Sequence, residues 1–303
     1  MIAARPGGDA LSQAQEHEGN MRVLVLGSNG QLGSEICRVM REDDIIPARR
    51  CDADITQLSQ VVQFACHLRP DVIINAAGYT DVDRCESGRE RAFLDNAIGA
   101  RNAAIASYKA GAELIHVSTD YVFDGNKDGP YIECDLPQPL NIYGWSKLLG
   151  ERMAMEQNPN TFILRTAWLY GSVGRNFPKS ILALAQEKDE ISVVNDQWGT
   201  PSYAGDVARQ IKLLMDTKSY GLYHCTSQGG CSWYDYAREI IRLAGLQVRV
   251  VPVASSDYPR PARRPANSVL DNLMLRAQGL DVMPDWKDSL ARHIGEIMES
   301  LKK

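Results

Sequence analysis

A short apolar run, Arg22 to Leu26, breaks into Gly27-Ser28-Asn29-Gly30-Gln31-Leu32-Gly33 and then into an amphipathic stretch, Gln31 to Arg41. No other feature limits the fold as strongly. Glycines at every third position between a strand and a helix describe a tight turn. Such a turn leaves backbone N–H groups free at the positive end of the helix, where a pyrophosphate can accept hydrogen bonds. Gly27 allows the turn, Gly30 lets phosphates approach the backbone, and Gly33 permits close packing of helix on strand. The spacing G-x-x-G-x-x-G departs from the commoner G-x-G-x-x-G, and a ligand-free glycine turn has the same letters. Placement after a strand and before a helix favours the phosphate reading.

The pattern that follows agrees with this. Strands are expected at Arg22 to Leu26, Ile45 to Ala48, Asp71 to Asn75, Glu113 to Ser118 and Phe162 to Thr166, and their nearly continuous apolar character predicts burial on both faces. Helices are expected at Gln31 to Arg41, Leu58 to His67, Glu90 to Lys109 and Tyr143 to Met155, from apolar spacing at three and four. Right-handed crossovers then give an α/β fold, a Rossmann-type doubly wound parallel sheet, over residues 21–170. Beyond Thr166 the texture changes. Gly171, Gly174 and Pro178 interrupt it, and the helices Phe177 to Gln186 and Ala204 to Met215 alternate with isolated strands. That predicts a smaller α/β substrate-binding lobe over 171–303, discontinuous because Gly221 to Cys225 is expected to return to the main sheet. Residues 1–20 are polar, without the apolar core of a signal peptide, and are expected to be a disordered leader.

Composition removes several classes of function. A net charge of −5 with acids and bases interspersed leaves no basic stripe for nucleic acid. The longest apolar runs are strand-sized, so no membrane span is expected. Seven scattered cysteines contain no C-x-x-C pair and no histidine at metal-ligand spacing, which reads as reduced thiols in a cytoplasmic protein without a metal site.

The end of the second strand reads Ala48-Arg49-Arg50-Cys51-Asp52 where an acid would grip the ribose of NAD. Guanidiniums there can pair with a 2′-phosphate and favour NADPH; solvated surface arginines fit the same letters, and NADH stays open. Asp54 and Ile55 are candidates for the adenine edge. Asn75-Ala76-Ala77-Gly78-Tyr79-Thr80 leaves the third strand with small residues, against which a flat cofactor can lie. The cofactor-binding set is therefore Gly27, Gly30, Gln31, Leu32, Gly33, Arg49, Asp54, Ile55, Ala76, Ala77, Gly78, Tyr79 and Thr80, joined by Tyr143 and Lys147.

Tyr143 and Lys147 fall one turn apart on a helix face. Tyrosine is a poor acid near neutrality, with a pKa of about 10, and a nearby ammonium favours its phenolate. The pair alone is common by chance. Its weight comes from His116-Val117-Ser118-Thr119-Asp120-Tyr121 at the carboxyl end of the fourth strand, where open α/β sheets place their ligands. A hydroxyl there can bond a substrate carbonyl and share its developing charge. Ser118 and Thr119 alternate faces, so one of the two faces the cofactor.

Asn75-Ala76-Ala77-Gly78 resembles a marker of the short-chain dehydrogenase/reductase superfamily. From Met21 onward the chain resembles one family within it, the dTDP-4-dehydrorhamnose reductases of nucleotide-sugar biosynthesis. The resemblance rests on Gly30-Gln31-Leu32-Gly33, Ser118-Thr119-Asp120-Tyr121-Val122-Phe123, Leu164-Arg165-Thr166-Ala167-Trp168, Asn195-Asp196-Gln197-Trp198-Gly199-Thr200-Pro201 and Arg263-Arg264-Pro265-Ala266-Asn267-Ser268. It implies Thr119, Tyr143 and Lys147 as catalytic hydroxyl, proton donor and lysine. It implies Thr119, Asp120, Trp168, Arg264 and Asn267 at the substrate, with the tail motif holding the lobe closed. Arg175, Arg260, Arg263 and Arg264 are candidate partners for a diphosphate. The implied reaction is reduction of the C4 ketone of dTDP-4-dehydro-6-deoxy-L-mannose to dTDP-L-rhamnose by NAD(P)H. Expected partners are the dTDP-sugar and a second copy of the chain in a homodimer.

Three rivals share these residues. A 4,6-dehydratase commonly carries Thr-Asp-Glu, and here Tyr121 follows Asp120. A 4-epimerase retains its NAD through the cycle. The regulatory subunit of methionine adenosyltransferase also resembles this family and binds NADP; Thr119, Tyr143 and Lys147 together favour the enzyme.

Overall fold

A computed structural model describes residues 21–300, and the expected leader, 1–20, lies outside the described residues. The chain runs β1 (Arg22–Leu26), α1 (Gln31–Val39), β2 (Asp44–Ala48), α2 (Leu58–Leu68), β3 (Val72–Asn75), α3 (Val82–Ser87), α4 (Arg89–Phe93), a π turn (Leu94–Ile98), α5 (Gly99–Ala110) and β4 (Glu113–Thr119). It continues through α6 (Ile142–Gln157), β5 (Thr161–Thr166), β6 (Leu169–Tyr170), α7 (Phe177–Glu187), β7 (Glu190–Val194), β8 (Trp198–Gly199), β9 (Ser202–Tyr203) and α8 (Ala204–Met215). Last come β10 (Gly221–His224), β11 (Cys231–Ser232), α9 (Trp233–Leu243), β12 (Arg249–Val253), α10 (Leu273–Ala277) and α11 (Trp286–Ser300). The helix expected over Glu90 to Lys109 is thus α4, the π turn and α5 in succession.

β10, β5, β4, β3, β1 and β2 hydrogen-bond in that order as one parallel sheet. Side chains alternate across each strand. Val23, Val25, Ile74, Phe162 and Leu164 pack on α1 and α8, whereas Leu24, Leu26, Ile73, Leu114 and Ile163 pack on α2, α5 and α6. Truncating Leu164 to alanine in such a core costs roughly 2–5 kcal/mol. β2 is the exception to two-sided burial: Asp44, Ile45, Ile46 and Pro47 are all partly or fully exposed. It is the edge strand, and Pro47 is tolerated there because no neighbour requires its missing N–H.

Two features bear on the expected division. α8 packs through Val207, Ile211 and Leu214 onto α1 beneath the sheet, because parallel neighbours β5 and β10 need a covering crossover between them. A separate core, centred on Tyr170, Tyr203, Tyr236, Trp286 and Leu290, joins α7, α9 and α11. Among the described residues no helix is long and apolar enough to cross a membrane.

Candidate active site

The strand order reverses between β1 and β3, which opens a crevice at their carboxyl ends. The glycine turn forms one rim. Gly27 has φ +79°, and a Cβ on it would sit 2.8 Å from the Ala77 backbone. A Cβ on Gly33 would run into the Gly27 carbonyl. α1 starts at Gly30 with no side-chain cap and no acid in its first turn, so its N–H groups stay available to an anion.

Ala76, Ala77 and Gly78 form the opposite rim, held by Asn75, whose Oδ1 accepts from the Ala77 N–H at 3.2 Å. Asn75 Nδ2 donates in turn to Nδ1 of buried His116 at 3.1 Å, which puts the histidine proton on Nε2. Burial and the Lys147 charge keep that imidazole neutral.

Two adjoining hollows share Gly30, Ala76, Ala77 and Gly78. The first, about 190 Å³, adds Gly27, Asn29, Arg50, Ala53, Asp54, Ile55 and Asp95. The second, about 440 Å³, runs past Thr119, Asp120, Tyr143 and Lys147 to Trp168, Arg175 and Trp233. Glycine rim, uncapped helix end and small-residue wall together fit a dinucleotide lying across both.

The guanidinium lining the first hollow is that of Arg50, shared between Asp54 at 3.0 Å and Asp95 at 3.4 Å. Arg49, expected at the ribose, is not among the residues lining either hollow. Its N–H and Nε both donate to Asp52, closing a surface turn. Tyr79 is also outside the lining; its ring lies under the Arg91 guanidinium, 4.5 Å away.

α6 carries Tyr143 and Lys147 into the second hollow. Its first turn is capped by Asn141, whose Oδ1 accepts from the Gly144 N–H at 2.8 Å. Lys147 Nζ donates to the Val117 carbonyl at 2.5 Å. Burial pushes this ammonium down to about 8, while the Glu151 carboxylate pulls the other way.

The expected drift of Tyr143 toward phenolate is not what the surroundings produce. Burial raises its phenol above the ordinary value, the Thr119 hydroxyl pulls it down, and Asp120 pushes it up. Tyr143 is therefore a protonated acid at neutral pH. Asp120, donated to by Thr119 at 3.0 Å, is raised by burial to about 6 against hydrogen bonds from Ser268 and Thr119.

Ser118 and Thr119 divide as strand alternation requires. Ser118 donates to Glu151 at 2.5 Å, and Glu151 grips Arg165 through Nε at 2.9 Å and Nη2 at 2.7 Å. Thr119 is left to Asp120 and Tyr143. Asn96, in the π turn, accepts from the Tyr79 N–H at 2.7 Å and donates to Ser146 at 2.9 Å, tying the β3 loop to α6. Sequence reading missed Arg50's precedence, Asp95, Asn96 and the Glu151–Arg165 pair. A π turn in mid-helix has no period that marks it.

Trp168 lies in the cavity wall, at φ +44° and stacked on Trp233 with ring centroids 3.4 Å apart. Arg264 and Asn267 do not line the cavity. Arg264 donates to Asp83 at 2.9 and 3.1 Å and to the Ala262 carbonyl at 2.9 Å. Asn267 Nδ2 donates to the Lys127 and Gly129 carbonyls at 2.9 and 2.8 Å. Both side chains bond within the chain and stand outside the cavity lining, away from the substrate position expected of them.

Residues 21–299 match the family described as the RmlD substrate binding domain. The chain is 38% identical, over 294 residues, to dTDP-4-dehydrorhamnose reductase of Escherichia coli, covering 91% of this chain and 98% of that protein. Among solved structures it is similar to a dTDP-4-dehydrorhamnose reductase of Clostridium acetobutylicum, with a TM-score of 0.90, 45% identity, and coverage of 92% of this chain and 100% of the other. The same enzyme of Bacillus anthracis, solved in complex with NADP, is similar with a TM-score of 0.89 and 43% identity, over 91% of this chain and 99% of the other.

Proposed function

The chain belongs to the RmlD substrate binding domain family, that of the dTDP-4-dehydrorhamnose reductases, and on that premise we propose that it reduces the C4 ketone of dTDP-4-dehydro-6-deoxy-L-mannose to dTDP-L-rhamnose with NADPH. The observation that carries the reading is the convergence of Thr119, Tyr143 and Lys147 in one cavity with the glycine turn and Ala76–Gly78.

When bound, the reduced nicotinamide supplies the hydride that reaches the sugar C4. The chain's part is to deliver the proton and hold the geometry. Tyr143, kept protonated by burial, gives its phenolic proton to the C4 oxygen as that becomes an alcohol, and Thr119 turns its one O–H from Asp120 to the same oxygen. Lys147, placed one turn behind, offsets the charge left on Tyr143 and serves the ribose hydroxyls. Arg50 answers a 2′-phosphate, and Arg175 with the Trp168–Trp233 pair forms the sugar-nucleotide end. We read the six-stranded sheet with its helices as the cofactor-binding domain and the core around Tyr236 as the substrate-binding lobe. The chain's cysteines are all free thiols, which supports a cytoplasmic setting.

The test supplies wild-type protein with dTDP-4-dehydro-6-deoxy-L-mannose and either NADPH or NADH and follows loss of the reduced-nicotinamide absorbance. Stoichiometric cofactor consumption with formation of dTDP-L-rhamnose is expected. Cofactor binding without turnover would overturn the reductase reading, and inversion at C4 of a dTDP-sugar alcohol with no net oxidation of cofactor would point to an epimerase.

A further inference from the structure

Resting on the reductase reading, we propose that Arg264 is a positioning residue for the proton donor: from a strap fixed to the substrate lobe, it holds Tyr121 edge-on against Tyr143. The strap is the segment 262–268. At one end Ala262 N–H donates to Asp83 Oδ1 at 3.2 Å, and the Arg264 fork closes on both oxygens of the same carboxylate. The guanidinium then lies beside the Tyr121 hydroxyl. The Tyr121 ring meets Tyr143 at a centroid distance of 5.8 Å and an interplanar angle of 78°, the edge-to-face arrangement aromatic pairs favour.

A second tie reaches the same helix. Asn141, whose Oδ1 caps α6, donates its Nδ2 to the Arg263 carbonyl at 2.8 Å, so one amide joins the start of the catalytic helix to the strap. Gly144 is required by the same contact: a Cβ there would strike the Tyr121 carbonyl, and Tyr143 is its neighbour.

The other end of the strap is bound to the lobe. Trp198 N–H donates to the Ala266 carbonyl at 2.8 Å, and Ser268 N–H donates to the Trp198 carbonyl at 2.8 Å. The next residue, Gly199, leaves no room for a Cβ beside the Trp168 indole, which lines the cavity. Trp168, β8, the strap, Tyr121 and Tyr143 therefore form one run of direct contacts from the sugar end of the cavity to the phenol that gives the proton. Arginine is needed at 264 because only a planar fork can take both Asp83 oxygens while a further N–H serves a neighbour; a lysine ammonium is a point charge.

The test compares wild type, Arg264→Ala, Arg264→Lys, Tyr121→Phe and the Arg264→Ala/Tyr121→Phe double variant in steady-state kinetics, with NADPH affinity measured separately by nucleotide fluorescence. Arg264→Ala is expected to lower kcat roughly 10- to 100-fold, as a displaced reacting group does, with the KM for the dTDP-sugar and the affinity for NADPH little changed. The solvent deuterium isotope effect on kcat should rise as proton delivery becomes limiting. Added methylguanidinium should restore part of the rate, Arg264→Lys should be intermediate, and the double variant should be no slower than Arg264→Ala. A raised KM for the sugar with kcat intact would overturn the proposal and make Arg264 a substrate ligand. A loss of NADPH affinity equal to the loss of rate, or an unchanged isotope effect, would overturn it in favour of a structural role. Absence of wild-type turnover would sink the reductase reading together with the proposal, whereas normal wild-type turnover with an unimpaired Arg264→Ala variant would sink the positioning role alone.

Discussion

The Lys147 ammonium donates to the Val117 carbonyl at 2.5 Å, pinning the middle of α6 to the carboxyl end of β4. One bond thus sets the distance between the element that carries Tyr143 and the one that carries Thr119. It also buries the ammonium, which is the main reason its pKa falls to about 8.

That value predicts a pH limb. Below about 8, Lys147 is charged; as pH rises through that value the charge beside Tyr143 is lost. kcat/KM for NADPH, which reports groups of the free enzyme, should therefore decline above about pH 8 with the slope of one proton. A profile level up to the ordinary lysine value of about 10.4 would show that another group sets the limb.

Tyr143→Phe removes the phenolic proton and keeps the ring that packs on Tyr121. Turnover should fall by roughly 10²- to 10⁴-fold, the range of a lost general acid, with NADPH affinity little altered. Wild-type rates in this variant would remove Tyr143 as donor.

Arg50 and Arg49 should part company. Arg50→Ala is expected to raise the KM for NADPH roughly 10- to 100-fold while leaving the KM for NADH unchanged, as loss of a charged hydrogen bond to phosphate requires. Arg49→Ala should leave both constants near wild type, since that side chain serves Asp52. The reverse pattern would restore Arg49 to the cofactor site.

Glu151 and Arg165 are 2% and 3% exposed, so neither charge can turn to water when the other is removed. Glu151→Gln should cost about 3–5 kcal/mol of folding stability, read from the urea midpoint, and a well-packed apolar replacement of both partners should recover most of it. A single variant as stable as wild type would mean that the pair is not buried in solution.

Legibility in the sequence followed the range of the interaction. β1, β3, β4 and β5 could be read within a residue at either end because both faces of a buried parallel strand demand apolar side chains, and that demand is written locally. Gly27 and Gly33 were legible for a similar reason: the positive φ of Gly27 and the clash of a Gly33 Cβ with the Gly27 carbonyl both arise within a single turn-and-helix unit. Tyr143 and Lys147 were legible as one helix face. Arg49 and Arg50, adjacent in sequence, could not be told apart, because the choice was made by the Asp52 turn and by Asp95, which a different helix brings in. Arg264 reads in sequence as a ligand, whereas its guanidinium closes on Asp83, which lies 181 positions away.

Sequence alone determined the parallel sheet, the glycine turn at its first crossover and the helix that carries Tyr143 and Lys147 one turn apart, since each follows from periodicity or spacing within some dozen residues. Tertiary structure alone decided which guanidinium lines the groove, that burial lifts the Tyr143 phenol above its ordinary value, that Ser118 bonds Glu151 while Thr119 bonds Asp120, and that Arg264 closes on Asp83. Those outcomes depend on burial and on partners distant in the chain, and desolvation has no local signature: it exists only once the surrounding elements have closed over a group.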